Sequence, residues 1–262
     1  MTKWAASSGI KVEWAKKNIR DLETQIIAFH KSEPYTVVSE DDADTGDLLF
    51  RILIRDSMPP YWGCIAGDAI HNLRASLDIL WRQAIGAKPG TRRKESFFSA
   101  DAKRFKNTRG RGEIKGREKK AVEVLKAFKP YDGGDEILWS LNVADSEDKH
   151  RALIPVYFAT EPILFQNIAA LSNTMRPPGW GFPVPWFLGL QGEAIRVENG
   201  AIIGRCPAAH RAEMQVKAEF TLTVAFGESE ILEGKPIIPT LDGFAGKVDS
   251  VVEAFTRAGL LT

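Results

Sequence analysis

The stretch that decides the fold is YWGCIAGDAIHNLRASLDILWRQAIG, residues 61–86. Apolar residues recur in it every three or four positions, which is the spacing of one buried helix face. Gly86 and the following Pro89-Gly90 end the pattern. The sequence therefore predicts a long amphipathic helix whose core face is made of Ala66, Ala69, Ile70, Leu73, Leu77, Leu80 and Ala84.

Helices and strands on both sides of this segment predict the fold class. Helical spacing recurs in four other places, namely Ser8–His30, Glu113–Lys129, Asp135–Ala144 and Leu241–Ala258. Apolar alternation or flanking turn residues predict strands at Tyr35–Ser39, Asp47–Arg55, Ala152–Ala159, Ile163–Ala169, Ala194–Glu198, Ala201–Cys206 and Glu213–Phe226. This order predicts an α+β fold, in which a helical N-terminal half packs on a C-terminal antiparallel β-sheet and a closing helix forms the C-terminus.

The chain is expected to form a single α+β domain over residues 1–262. Asn199-Gly200 predicts a two-residue hairpin turn, and residues 172–187, rich in Pro, Gly and Trp, predict a long ordered loop. We expect the early hairpin to join the late sheet and so tie the halves together. The expected parts are a helical region at about 1–150 with an early β-hairpin at 35–56, a β-rich region at about 151–240 and a terminal helix at 241–258.

The amino-acid composition excludes several classes of protein, among them membrane-spanning and disulfide-rich proteins. The 262 residues are 44% hydrophobic and 26% charged with a net charge of +1, which is ordinary for a soluble globular protein. No apolar run reaches the roughly 18 residues that a membrane span needs, and the N-terminal residues lack an apolar signal core. Two cysteines, Cys64 and Cys206, exclude a disulfide scaffold and a four-thiolate zinc site. We therefore expect a cytoplasmic protein with no membrane partner.

The first candidate cluster lies on the polar side of the predicted helix 61–86. His71 and Asp78 are seven residues apart, so they point in nearly the same direction, and Asp68 precedes His71 by about one turn. A carboxylate there can orient the imidazole and leave its second nitrogen for a ligand, a proton or a metal. The alternative is a solvated polar face with an ion pair.

The second candidate cluster is the run Asn142–Arg151, interpreted as a loop at a helix-to-strand junction. Its consecutive ionisable groups suit an anion or metal site, or else a charged connection in which an Asp caps a turn. A buried Asp or His needs a partner. We therefore expect the two clusters to meet, with His71 or Asp78 within hydrogen-bond range of Asp148, His150 or Arg151.

Together the two clusters predict one polar site for a small phosphorylated or carboxylated ligand. Arg74 or Arg151 would clamp the anion, and His71 or His150 would act as the acid–base group. The predicted catalytic residues are His71, His150 and Asp78, and the predicted ligand-binding residues are Asp68, Asn72, Arg74, Asp148, Lys149 and Arg151. The alternative is a non-catalytic structural or binding protein with buried ion-pair networks. Metal, cofactor and oligomeric state stay open.

A third interpretation is RNA binding or RNA cleavage by the basic segment 92–129. Fourteen basic and five acidic residues give this segment a net charge of +9. A segment of that sign can meet phosphates. The near-neutral total charge instead favours a solvated helix face and a loop, so a nucleic-acid partner is the less favoured interpretation.

The motifs of the two clusters also carry a resemblance. Gly67-Asp68-x-x-His71-Asn72-Leu73-Arg74-x-x-Leu77-Asp78, followed downstream by Lys129-Pro130-Tyr131 and Asp148-Lys149-His150-Arg151, resembles a family of uncharacterised bacterial proteins. The resemblance covers most of the chain and implies a bacterial protein, without implying an activity. That family has a histidine after the last aspartate of the first motif, whereas this sequence has Ile79.

Overall fold

Five α-helices and six β-strands make up the described part of the chain, which is an α+β fold as predicted. The computed structural model describes residues 5–87, 105, 116–150, 156–160, 195–206, 208 and 222–261. The helices are α1 (Ala5–Lys31), α2 (Tyr61–Ala84), α3 (Gly116–Phe128), α4 (Glu136–His150) and α5 (Ile237–Arg257). The strands are β1 (Tyr35–Asp41), β2 (Leu48–Ile54), β3 (Val156–Thr160), β4 (Ile195–Arg196), β5 (Ile202–Cys206) and β6 (Leu222–Phe226).

Helix α2 confirms the amphipathic pattern of residues 61–86. It begins after Pro60, and the amide of Trp62 donates to the carbonyl of Pro59. It ends at Ala84, and Gly86 follows with a φ of 67°, a conformation that glycine adopts without strain. The predicted core face is buried, since Ala66, Ala69, Ile70, Leu73, Leu77, Leu80 and Ala84 all have no exposed surface.

The first of two compact units holds most of the helical structure. It comprises Met1–Ile26, Pro59–Val156 and Phe226–Thr262. Helix α2 contacts α3, α4 and α5 there, so its leucines lie in the middle of this core. Arg117 of α3 donates to two carbonyls, that of Ala84 at 3.2 Å and that of Leu260 at 2.5 Å.

The second unit comprises Ile27–Met58 and Tyr157–Ala225, and it confirms that the early hairpin joins a late strand. Strands β1 and β2 pair antiparallel, and β2 pairs antiparallel with β5. A cluster of Ile52, Val197 and Leu222 is buried in this unit. Arg205 of β5 lies 2.9 Å from a carboxyl oxygen of Asp42 and 3.1 Å from one of Asp47. The prediction of one domain stays a prediction.

The predicted hairpin at Asn199-Gly200 is wrong in its pairing. The turn exists, and Gly200 has a φ of 82°, but β4 belongs to a sheet ordered β4-β3-β6 whereas β5 lies beside β2. Strand β2 holds the turn: Gly200 donates its amide to the carbonyl of Ile52, and Asn199 Oδ1 accepts the amide of Ile54, both at 2.8 Å. These bonds direct the two flanking segments into different sheets.

The predicted end of helix α4 at Ala144 is also wrong, because the helix continues to His150. No glycine or proline interrupts Asp145–His150, and Asp145 and Lys149 form an ion pair one turn apart that supports the helix. The predicted strand at Ile163–Ala169 and the predicted loop at 172–187 lie outside the described residues, as does most of the predicted strand Glu213–Phe226.

Membrane-spanning helices were sought in the described residues. None of the helices found there combines the length and the apolar character that crossing a bilayer requires.

Candidate functional site

The candidate site lies where α4 contacts α2 in the helical unit. Gly67 of α2 makes the approach possible, because a Cβ atom at this position would lie only 2.8 Å from Cγ of Asp148. The three atoms nearest to that Cβ position all belong to the Asp148 carboxyl group. Absence of a side chain at residue 67 therefore lets a carboxyl group pack directly against the backbone of α2.

His71 and Asp145 form the central contact of the site. Nδ1 of His71 lies 3.0 Å from Oδ1 of Asp145. The Asp145 side chain is only 9% exposed, whereas the His71 side chain is 42% exposed. One edge of the imidazole is thus held by a buried carboxyl group while the ring remains open to solvent.

Lys149 binds the second oxygen of the same carboxyl group. Its Nζ lies 2.5 Å from Oδ2 of Asp145, one helical turn away on α4. A carboxylate that binds an ammonium group through one oxygen can only accept a hydrogen bond at the other. The hydrogen of the His71–Asp145 bond therefore sits on Nδ1, and a neutral His71 carries its lone pair on Nε2.

Asp148 lies in the most perturbed electrostatic environment of the site. Burial raises the pKa of the Asp148 carboxyl, and the nearby carboxylates of Asp145 and Asp68 raise it further. His71 and Lys149 act in the opposite direction but do not cancel the rise in pKa. Asp148 therefore holds a proton more readily than an exposed aspartate does.

Arg74 and Asp78 pair with each other rather than completing the His71 cluster. Nη1 of Arg74 donates to Oδ1 of Asp78 at 2.7 Å, four residues along α2. The Arg74 side chain is only 13% exposed and the Asp78 side chain is 47% exposed. The predicted anion clamp at Arg74 is thus already bound to a carboxylate.

Asn72 contacts the other neighbour of α2. Its amide nitrogen donates to the carbonyl of Asp68 at 2.7 Å, and its oxygen accepts from Nζ of Lys11 of α1 at 2.8 Å. Asp68 itself is exposed. Asn72, a predicted ligand-binding residue, therefore lies at the contact between α1 and α2, away from the contact with α4.

The two clusters meet through Asp145, whereas the predicted contact was that of His71 or Asp78 with Asp148, His150 or Arg151. Asp145 binds His71, whereas Asp148 lies against Gly67 and His150 ends α4. Arg151 lies outside the described residues. Asp145 and Lys149 are four residues apart, which is the spacing of an ion pair on one helix face. This spacing could have identified Asp145 as a site residue if the helix had been predicted to continue to His150.

Metal-binding geometry was tested within the described residues. No group of three or more His, Cys, Asp or Glu side chains in that part of the chain is arranged to hold a metal ion. The geometry of His71, Asp145 and Lys149 instead matches an oriented acid–base group.

The basic segment 92–129 is described only at residue 105 and over residues 116–129. Arg117 in this part serves the fold, because both of its bonds are to backbone carbonyls. Lys126 pairs with Glu123 at 2.7 Å, whereas Lys119 and Lys120 are exposed. The nine basic residues from Arg92 to Lys115 lie outside the described residues, so RNA binding stays a prediction.

Comparisons with protein-family models, curated proteins and solved structures give no match for this chain. The resemblance carried by the 67–78 and 148–151 motifs therefore stays a prediction. Function is best argued from the geometry around His71.

Proposed function

We propose that this chain binds a small polar ligand beside His71 and exchanges a proton with it through Nε2. The observation that carries the proposal is the 3.0 Å contact between Nδ1 of His71 and the buried Asp145 carboxyl group. A carboxylate on one ring nitrogen fixes the tautomer and the ring orientation, so that the other nitrogen is ready to accept a proton. A cytoplasmic location in a bacterium is part of the proposal and rests on the sequence.

The charges beside His71 favour a ligand with a hydrogen-bond donor or a positive charge. Asp68, Asp145 and Asp148 all influence this region, and Lys149 supplies one ammonium group, already bound to Asp145. Like charges repel, so an incoming phosphate or carboxylate is disfavoured next to these groups and an amine is favoured. Of the two cations predicted to clamp an anionic ligand, Arg74 is bound to Asp78, and Arg151 lies outside the described residues.

Asp148 has a supporting role in this proposal. Its raised pKa makes the protonated carboxyl group more accessible, and that group can donate a hydrogen bond to a ligand. An imidazole that accepts a proton beside a carboxyl group that can donate one makes a paired acid–base arrangement. The ligand class that suits this pair is a small amine or amino alcohol.

Thermal denaturation with a panel of small amines, amides, phosphates and carboxylates tests the proposal. A ligand at about a hundred times its Kd stabilises the folded state by about 2.7 kcal/mol, which is readily seen as a rise in Tm. We expect amines to raise the Tm of the native protein and of the control E123Q, which changes an exposed pair on α3. We expect no rise for H71Q.

The hits then serve to test proton transfer. Proton NMR of each bound ligand, with native protein and with H71Q, follows exchange or conversion at the ligand. Exchange that is fast only with the native protein supports the acid–base role. A Tm rise that persists in H71Q, or one confined to phosphates and carboxylates, contradicts the proposal; the second result restores the anionic ligand predicted from the sequence.

A further inference from the structure

A second surface of the helical unit lies on the side of α1 that faces away from its core. Val12, Ala15, Ile19 and Leu22 form the buried face of this helix. Two large apolar side chains nevertheless lie on the outer face one turn apart, Ile10 at 65% exposed and Trp14 at 52% exposed. Exposed apolar pairs of this size on a helix are typical of a contact surface.

These residues belong to an open groove of about 950 Å³. We call it the α1 groove; its lining includes Ile10, Lys11, Trp14, Arg20, Asn72 and Ile79. The groove is separate from the His71 contact, because Asn72 reaches it through Lys11 whereas His71 faces α4.

Two of the cations at the groove keep an uncompensated charge. Lys11 binds a neutral amide oxygen of Asn72, and Arg20 has no carboxylate partner among the described residues. Lys17, by contrast, pairs with Asp21 at 2.5 Å. Among the described residues, the cations of the lining that lack a carboxylate partner are therefore Lys11 and Arg20.

Carboxylates near the groove do not neutralise these two cations. Glu13 is the acidic residue of the lining, and it is bound by Lys16 at 3.3 Å. Lys16 also binds Asp249 of α5 at 2.8 Å, which holds it against α5. Because Glu13 and Asp249 share one ammonium group, the charged side chains of this region, including the Lys17–Asp21 pair, sum to +1, and the cations without a carboxylate partner are Lys11 and Arg20.

The positions of the two cations and the two exposed apolar side chains on α1 indicate what kind of partner fits the α1 groove. Lys11 and Arg20 are nine residues apart, which is about 13 Å along the helix axis and about 180° around it, so the two cations lie on opposite sides of the outer face that bears Ile10 and Trp14. Ile10 and Trp14 lie within or beside this span, one turn apart, as ridges that a second helix can pack against. Lys17 lies 5.4 Å from the centre of the Trp14 ring, which limits the motion of that side chain.

From this arrangement we infer that the α1 groove binds an amphipathic helix of another protein, with an apolar stripe on Ile10 and Trp14 and acidic residues beside Lys11 and Arg20. Apolar contact with the exposed tryptophan supplies most of the affinity, because buried aromatic side chains dominate such interfaces. The flanking charges select an acidic helix over a basic one.

Fluorescence anisotropy with two labelled peptides tests the inference. The probe is a peptide of about 18 residues with leucines at helical spacing and glutamates at both ends; its match has a lysine for every glutamate. We expect the acidic peptide to bind the native protein at least about tenfold more tightly than the basic one, with affinity falling as salt rises.

Variants locate the binding surface. We expect W14A, and separately the pair K11E and R20E, to weaken binding of the acidic peptide by about tenfold or more. Y61A is the matched control, because Tyr61 is also aromatic and 52% exposed but does not line the α1 groove. All three variants change exposed or half-exposed side chains, and circular dichroism melts verify that each one folds.

Five results would overturn the inference. Absence of binding, equal binding of the two peptides, or an equal loss in Y61A would each reject the acidic-helix partner. Sedimentation equilibrium that shows a dimer dissolved by W14A would assign the groove to a second copy of the chain. Binding to phosphatidylglycerol vesicles in place of the acidic peptide, lost on changing Lys11 and Arg20, would assign it to an anionic membrane surface.

Discussion

The carboxyl group of Asp148 packs against the backbone of α2 at Gly67, where any larger residue would place a Cβ 2.8 Å from Cγ of Asp148. This contact seats α4 on α2 one turn before the His71–Asp145 bond. A glycine and an aspartate 81 positions apart in the sequence therefore hold together the two helices that build the candidate site.

The Gly67–Asp148 contact predicts that the effects of G67A and D148A on the free energy of unfolding are not additive. Alanine favours a helix interior by about 1 kcal/mol over glycine, but G67A forces the Asp148 carboxyl group to move. We expect G67A to destabilise the protein, or leave its stability unchanged, in the native background and to stabilise it in a D148A background. Urea denaturation of the two single variants and the double variant measures this coupling. Additive effects would show that the contact does not constrain α2.

Asp148 also predicts a pH dependence of stability. Because its pKa is raised in the folded protein, the folded state binds a proton more readily than the unfolded state. The stability from Asp148 is therefore fully present below the ordinary aspartate value of about 4 and is lost as pH rises through the raised pKa. We expect D148N to have a higher Tm than the native protein at neutral pH and the same Tm near pH 3, where both side chains are neutral. A lower Tm for D148N at neutral pH would contradict this expectation.

Because Leu77 lies on the buried face of α2, truncating it is expected to lower the free energy of unfolding. Leu77 has no exposed surface and lies between the other helices of its unit, so L77A leaves a cavity. We expect a loss of about 2–5 kcal/mol in the free energy of unfolding. I137A is the control, because Ile137 of α4 is 39% exposed and its truncation leaves no buried cavity. Equal effects of the two substitutions would reject the assignment of the core face.

Arg117 is a basic residue whose hydrogen bonds are expected to stabilise the fold. R117A leaves two carbonyls, those of Ala84 and Leu260, without this donor, and we expect a loss of about 0.5–1.5 kcal/mol in the free energy of unfolding, because these bonds are only partly buried. K119A on the same helix changes an exposed side chain and is expected to stay within about 0.5 kcal/mol of the native protein. Denaturant titration compares the two. Equal, small effects would mean that the bonds of Arg117 add nothing to stability.

Periodicity in the sequence was enough to predict α2 and its core face, because every apolar residue of that face points to one core. The same criterion placed the end of α4 too early, since the residues after Ala144 are polar and carry no apolar stripe. Contacts with α2 and the Asp145–Lys149 pair explain why the helix continues. The Asp145–Lys149 spacing is a local signal, whereas the contacts with α2 are long-range and have no local signature.

Only part of the candidate site could be predicted from the sequence. His71 was identified because Asp68 and Asp78 lie on the same side of the predicted helix. A contact between its cluster and the second cluster was expected. Asp145 was missed because it was assigned to a loop rather than to a helix facing α2. The Asn199-Gly200 turn was similarly predicted from its residues, whereas its partner β2 depends on contacts made 145 residues away in sequence.

The bond between His71 and the Asp145 carboxylate fixes the tautomer of His71, and that tautomer can be measured. Long-range proton–nitrogen NMR correlation of the imidazole signals, assigned by comparison with H71Q, distinguishes the two neutral forms. We predict that neutral His71 carries its hydrogen on Nδ1 in the native protein, and that D145N, whose amide can also donate, no longer enforces this form. A native His71 with its hydrogen on Nε2, or a tautomer unchanged in D145N, would contradict the account.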